Sequence, residues 1–180
     1  MRADKRAYHR LMTGIEWHKR KGTKEFRFLT LTGIASTYRQ IFDKFRRLIR
    51  KEFGAFEYFA TRTHEGSDGV LHLLYVGKYM DYEYLKEKWE AITGHWTISI
   101  SQVKDFQWQG FEMTRQQLTA RYSWSKGWLP EGIPQLWKEF KAQYKGIPHT
   151  EPARAYDFDH WHEIVRNHSP SKQMTIASPL

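Results

Sequence analysis

No cysteine occurs anywhere in the 180 residues. Disulfide staples, thiolate zinc sites, CxxC redox chemistry and cysteine nucleophiles are thereby excluded, and any metal would have to use histidines and carboxylates. Long apolar runs are also lacking. No segment approaches the ~20 consecutive apolar residues of a membrane span, and the first 24 residues hold no continuous apolar stretch of the kind a signal peptide needs. The expectation is a soluble, cytoplasmic chain without a membrane partner. Signature loops are missing too: no Walker loop, GxGxxG, HExxH or GxSxG is present. Phosphate-cradle, zincin and serine-hydrolase chemistries therefore lose the geometry they depend on.

What the chain has is aromatic rings and positive charge. Aromatics make up 16% and hydrophobic residues 40% of the sequence, enough for a sizeable core in one domain. Lys and Arg number 29 against 20 Asp and Glu, a formal +9 that favours an anionic partner. The excess is concentrated at the start, where residues 1–24 carry eight basic and two acidic side chains. Two readings of this lead-in stand: a flexible basic arm that contacts phosphates, and a solvated, fraying terminus.

Periodicity then gives an order of elements. Residues 26–32 (FRFLTLT) read as a strand closed by Gly33. The stretch 36–54 places Tyr38, Ile41, Phe42, Phe45, Leu48 and Ile49 at helical spacing, with Ser36 or Thr37 as N-cap and Gly54 past the end. Its opposite face carries Arg39, Lys44, Arg46, Arg47, Arg50 and Lys51, which suits either a phosphate-binding surface or an ordinary solvated face. Residues 56–63 and 70–76 read as an antiparallel hairpin across the turn-forming 64–69. A second helix follows with Tyr82, Leu85, Trp89 and Ile92 inward, and then a strand over 96–103. The order β-α-β-β-α-β within 26–103 predicts an α+β fold with a ferredoxin-like split βαβ core, two helices on one sheet face and the other face partly open. Beyond Val103 the spacing suggests a short helix over 110–120, an aromatic-basic turn or strand over 121–130, and another helix over 134–144. Residues 131–180 are thus a helical extension, ending in a disordered tail.

Strand alternation puts His72 on the face of Val70, Leu74 and Val76, opposite Leu71, Leu73 and Tyr75. Such a histidine is either a packed, hydrogen-bonded residue or a metal or acid–base group. Arg121, Tyr122, Trp124, Lys126 and Trp128 interleave cations and rings, as single-stranded nucleic acid requires, although Trp124 and Trp128 equally suit closure of a core. Late in the chain, residues 157–163 hold a His160-Trp161-His162 flanked by carboxylates, for which a surface role and a relocated metal site are the alternatives.

Four segments, in this order and spacing, resemble a family. FLTLT at 28–32, THEGSDGVLHLLYVG at 63–77, KEKWEAITG at 86–94 and RYSWSKGW at 121–128 are similar to segments of the rolling-circle replication initiators, or Rep proteins, of plasmids and viruses, in particular archaeal ones. These belong to the His-hydrophobe-His endonucleases, and the resemblance covers roughly residues 26–130. It implies a nicking and DNA-binding core over 25–130 behind the 1–24 arm, acting on single-stranded or hairpin origin DNA, with host replication proteins as further partners. It also implies a divalent metal, Mg or Mn, on His72; Glu57, Glu65 and His64 are the nearest polar candidates to complete such a site, Glu65 suiting a solvated loop carboxylate equally well. A tyrosine nucleophile would leave a phosphotyrosine bond that conserves the energy for rejoining. Two departures stand out. Leu74 occupies the place of the second histidine, and no tyrosine lies between Val103 and Arg121, which leaves Tyr122, with Lys126 four residues on, as the candidate nucleophile. A non-catalytic single-stranded DNA- or RNA-binding module on the same platform is the alternative.

Overall fold

The computed structural model describes residues 4–33, 38–63, 69–115, 120–133 and the isolated residue 163. Alternating β-branched and aromatic runs form the strands where the spacing predicts them: β1 (Arg27–Thr32), β2 (Phe56–Thr63), β3 (Val70–Gly77) and β4 (Ile98–Gln102). A short fifth strand, β5 (Arg121–Trp124), comes from the aromatic-basic stretch. All five pair antiparallel in the order β4-β1-β3-β2-β5. Helix α2 (Tyr38–Phe53) links β1 to β2, and α3 (Tyr82–Thr93) links β3 to β4. The latter starts at an Asp81 side chain that accepts from Tyr84 N and ends at Gly94, whose φ of 77° is the left-handed conformation glycine adopts without strain.

Period-two alternation sends side chains to two cores. Leu29, Leu31, Tyr58, Leu71, Leu73 and Tyr75 bury against Phe42, Phe45 and Ile49 of α2 and Leu85 and Trp89 of α3. Phe45 meets Trp89 edge-on, with ring centroids 5.4 Å apart. The other face holds Phe59, Leu74 and Val76.

Here the structure departs from the expectation of an open platform and a basic arm. Residues Lys5–Arg20 form helix α1, capped by Asp4, whose carboxylate accepts from Ala7 N at 2.9 Å. Its Ala7, Leu11 and Ile15 pack into the second core beside Phe26, Met113 and Trp128. A four-residue apolar period outweighs the charges because the basic side chains occupy the remaining faces. Helix α4 (Phe106–Thr114) lies beside α1, four residues earlier than the sequence suggests, because Asp105 caps it by accepting from Trp108 N. Trp128 fills the space over Gly14, where even a Cβ would stand 2.0 Å from the indole Nε1. The expected helix over 134–144 and the tail lie outside the described residues. Among the described residues, no helix is long and apolar enough to cross a membrane.

Candidate nucleic-acid interface

The cross-strand register lines up one polar row over the sheet. Ser99 pairs with Thr30, Thr30 with His72, His72 with Thr61, and Thr61 with Tyr122. Paired residues point to the same face, and His72 has the parity of Leu74 and Val76, so the row lies on the α1/α4 side, as the alternation predicts. The His72 ring stacks on Phe28, 5.5 Å away and tilted by 10°, and its Nδ1 lies 3.2 Å from Thr30 Oγ1. Thr61 Oγ1 donates to the Met113 carbonyl at 2.8 Å. The Tyr122 hydroxyl donates to the Thr114 carbonyl at 3.4 Å, which also accepts from Asp4 N. Above His72 opens a cavity of about 430 Å³, walled on the sheet side by Phe28, Thr61, Thr63 and Ser101 and on the α4 side by Trp108, Gln109, Glu112 and Met113, with Arg115 at its rim. Glu112 is in an ion pair with Arg115 at 3.4 Å.

Of the described candidate metal ligands, His72 lines this cavity and Glu57 does not. Glu57 shares the face of His72 but lies four residues along β2 from Thr61, about 13 Å at the strand rise. Its carboxylate accepts from Gly127 N at 3.0 Å. It also lies close enough to His18 to favour that imidazole's charged form, against burial, the larger effect, and the Lys21 charge, which together lower the His18 pKa. Glu65 and His64 lie outside the described residues. Among the described residues no cluster of three metal-ligating side chains occurs, and the donors lining the cavity are His72 and the ion-paired Glu112. A hard divalent cation needs more oxygen ligands than these two residues supply. Tyr122 is half-buried, and burial, aided by the Asp4 charge, raises its pKa, so the phenol stays protonated at neutral pH. Tyr75 faces the opposite core, and burial raises its pKa further.

A second cavity, about 570 Å³, lies at the β5 edge between the start of α2 and the outer strands. Arg62 and Arg121 are register partners there, side by side on adjacent strands, and Arg39 joins them in the lining together with Tyr38, Tyr122 and Ser123. The Arg62 guanidinium lies over the Tyr38 ring, 4.8 Å from its centroid, and Tyr38 Oη is 3.5 Å from Ser123 Oγ. Burial raises the Tyr38 pKa, partly offset by the Ser123 hydrogen bond and by Arg62 and Arg46. No carboxylate is among the described residues lining this cleft. Arg62 and Arg121 are thus like charges placed directly opposite on neighbouring strands, an arrangement that by itself weakens a sheet.

The remaining candidates divide by environment. Arg46 is engaged by Asp43 and donates to the Tyr58 hydroxyl at 2.9 Å, so it braces α2 against β2. Arg47 and Arg50 are exposed on the outer face of α2, and Lys126 is exposed after β5. Trp124 stacks on Phe59 within the second core while the Arg10 guanidinium covers its ring at 4.4 Å. Trp128, expected as a stacking platform, is fully buried and donates its indole N–H to the Arg10 carbonyl at 3.3 Å, so no base can reach it. Sequence reasoning missed Arg62 and Tyr38 in the cleft and Trp108, Gln109 and Glu112 at the cavity. Only the strand pairing and the true start of α4 bring them together.

No protein-family model, curated protein or solved structure matches the chain.

Proposed function

We propose that the chain is a Rep-like replication-associated protein of the cytoplasm that binds single-stranded or hairpin origin DNA along the β5 edge. The strand order β4-β1-β3-β2, with one helix joining β1 to β2 and another joining β3 to β4, supports a ferredoxin-like split βαβ core, to which β5 adds an edge. The observation that carries the reading is the Arg62–Arg121 pair with Arg39 in a cleft whose aromatic wall is the ring of Tyr38. Guanidiniums fix phosphates through fork-shaped hydrogen bonding, and rings accept unstacked bases. The test is a fluorescence-anisotropy titration of the full chain with a single-stranded oligonucleotide, a hairpin and a blunt duplex of equal length. Tighter binding to the first two is expected. Equal affinity for all three, or no binding, overturns the reading.

One observation favours retained nicking as a second reading: Tyr122 and His72 flank Thr61 in one row, two strand spacings or about 10 Å apart. In that reading the Tyr122 oxygen attacks phosphorus and bonds to the 5′-phosphate. The phenol gives up its proton as its oxygen attacks, and the 3′-oxygen leaves and takes up one proton, so that no net proton is consumed and a 3′-hydroxyl is freed. A denaturing gel after incubation with Mn²⁺ and oligonucleotide checks it. A covalent adduct lost in Tyr122→Phe supports nicking, and binding without adduct leaves the binding module alone.

A further inference from the structure

We propose that the cavity above His72 is a receptor for a single unstacked nucleobase of the bound strand, an assignment that rests on the DNA-binding reading. Its volume, about 430 Å³, lies in the range of pockets that bury a small flat ligand. Three observations point to a nucleobase. Trp108 is 60% exposed although it is the largest side chain of α4, and it lines this cavity. An indole left open to water beside a concave site is a stacking platform of the kind single-stranded nucleic acids use. Thr63 is only 4% exposed, lines the same cavity, and its hydroxyl has no hydrogen-bond partner. A buried hydroxyl is rarely left orphaned, and an incoming donor or acceptor edge would satisfy it. Gln109, also in the lining, carries an amide with both donor and acceptor, the pairing that reads base edges. An apolar ligand would leave these polar groups stranded, and a bare phosphate would meet the Glu112 carboxylate, whose ion pair already engages Arg115.

The placement joins the two sites. Along β2, Thr61 and Thr63 line the base cavity while Arg62 between them lines the arginine cleft from the opposite face. Tyr122, the register partner of Thr61, lines the cleft as well. A strand held by its phosphates at Arg62 and Arg121 would reach the cavity by crossing the β2/β5 edge of the sheet.

The experiment compares a single-stranded oligonucleotide with an abasic strand of the same length, which keeps the phosphates and lacks the bases. Wild type, Trp108→Ala and Thr63→Val are titrated with both. Wild type should prefer the base-bearing strand. Trp108→Ala should remove about tenfold of that preference while leaving the abasic affinity unchanged, and its exposed position spares the core. Thr63→Val, isosteric and free of the orphaned hydroxyl, should also reduce the preference without loss of thermal stability. Equal binding of the two strands by wild type overturns the base receptor and leaves the phosphate cleft standing. So does a Trp108→Ala effect of equal size on both strands. Failure of both strands to bind overturns the DNA-binding reading itself and the receptor with it.

Discussion

Substituting Arg121 should improve the free protein and impair the bound one. Arg62 and Arg121 sit directly opposite each other on β2 and β5, where Cβ atoms of a pair are about 5 Å apart and the guanidiniums spread to about 7 Å. At a surface dielectric between those of protein and water, such a repulsion is worth about 1 kcal/mol, and physiological salt with its Debye length of about 8 Å cuts that to about 0.3–0.5 kcal/mol. Arg121 is exposed, and its hydrogen bond among the described residues is a 3.4 Å contact to the Ala120 carbonyl, so little is lost in exchange. Arg121→Ala should therefore raise the urea midpoint slightly in the absence of DNA, with the gain shrinking as salt is added. With single-stranded oligonucleotide present the order should reverse. Wild type gains about 2.7 kcal/mol when ligand stands at a hundred times Kd, and the variant, with a phosphate contact missing, gains less at the same concentration. The assay is urea unfolding followed by tryptophan fluorescence, with and without DNA, at low and high salt. A variant destabilised by more than about 1 kcal/mol without DNA, or stabilised by DNA as strongly as wild type, would refute the argument that the pair exists to hold an anion.

Further expectations concern the second core and the candidate site. Leu11→Ala removes a fully buried side chain of α1 and should cost about 2–5 kcal/mol by urea unfolding. A near-neutral result would mean that α1 behaves as the loose arm its charge suggested. The His18 pKa is lowered in the fold, chiefly by burial, below its ordinary 6.5. The unfolded chain therefore binds a proton that the folded chain refuses, and this contribution is complete above about pH 6.5 and lost as pH falls toward the folded value. Stability should drop between pH 7.5 and 5.5, and His18→Gln should flatten that slope; an unchanged slope places the pH dependence elsewhere. Tyr122→Phe should cost about 1 kcal/mol for its hydrogen bond to the Thr114 carbonyl and leave oligonucleotide affinity within twofold, since the ring remains. A tenfold loss of affinity would give the phenol itself a role in binding. His72→Ala should spare the affinity for an abasic strand, since His72 lines the base cavity and not the arginine cleft, and if nicking occurs it should be abolished; cleavage unchanged in this variant removes His72 from any mechanism.

Much of the sheet was legible because its strands obey local rules. FRFLTLT, FEYFATRT and VLHLLYV are short runs rich in β-branched and aromatic residues bounded by turn formers, so the strands and, by parity, the face of His72 follow, and the amphipathic stripe of 38–53 fixes α2 on the other side. The errors came where two signals competed on one segment. In residues 5–20 the basic residues masked the stripe of Ala7, Leu11 and Ile15 and the Asp4 cap, although both are present in the sequence. The face expected to be open is covered as a consequence, and that closure also claims Trp128 for the core. Asp105 as a cap was overlooked, which displaced α4 and hid Trp108 and Gln109 from the candidate site. Glu57 illustrates a different limit: alternation places it correctly on the face of His72, but only the tertiary contact with Gly127 shows that it serves the α1 end of the sheet. Arg62 could not be singled out at all, since its meaning depends on Arg121, nearly sixty residues later in the chain, being its neighbour.

The most direct test of the account is the salt dependence of single-strand affinity, measured for wild type and for the Arg62→Ala, Arg121→Ala double variant. Each phosphate neutralised contributes about −0.7 to the slope of log K against log salt for a single strand. The account predicts a steep wild-type slope that becomes shallower by about 1.4 in the double variant. A flat wild-type plot, or the same slope in both proteins, would contradict it.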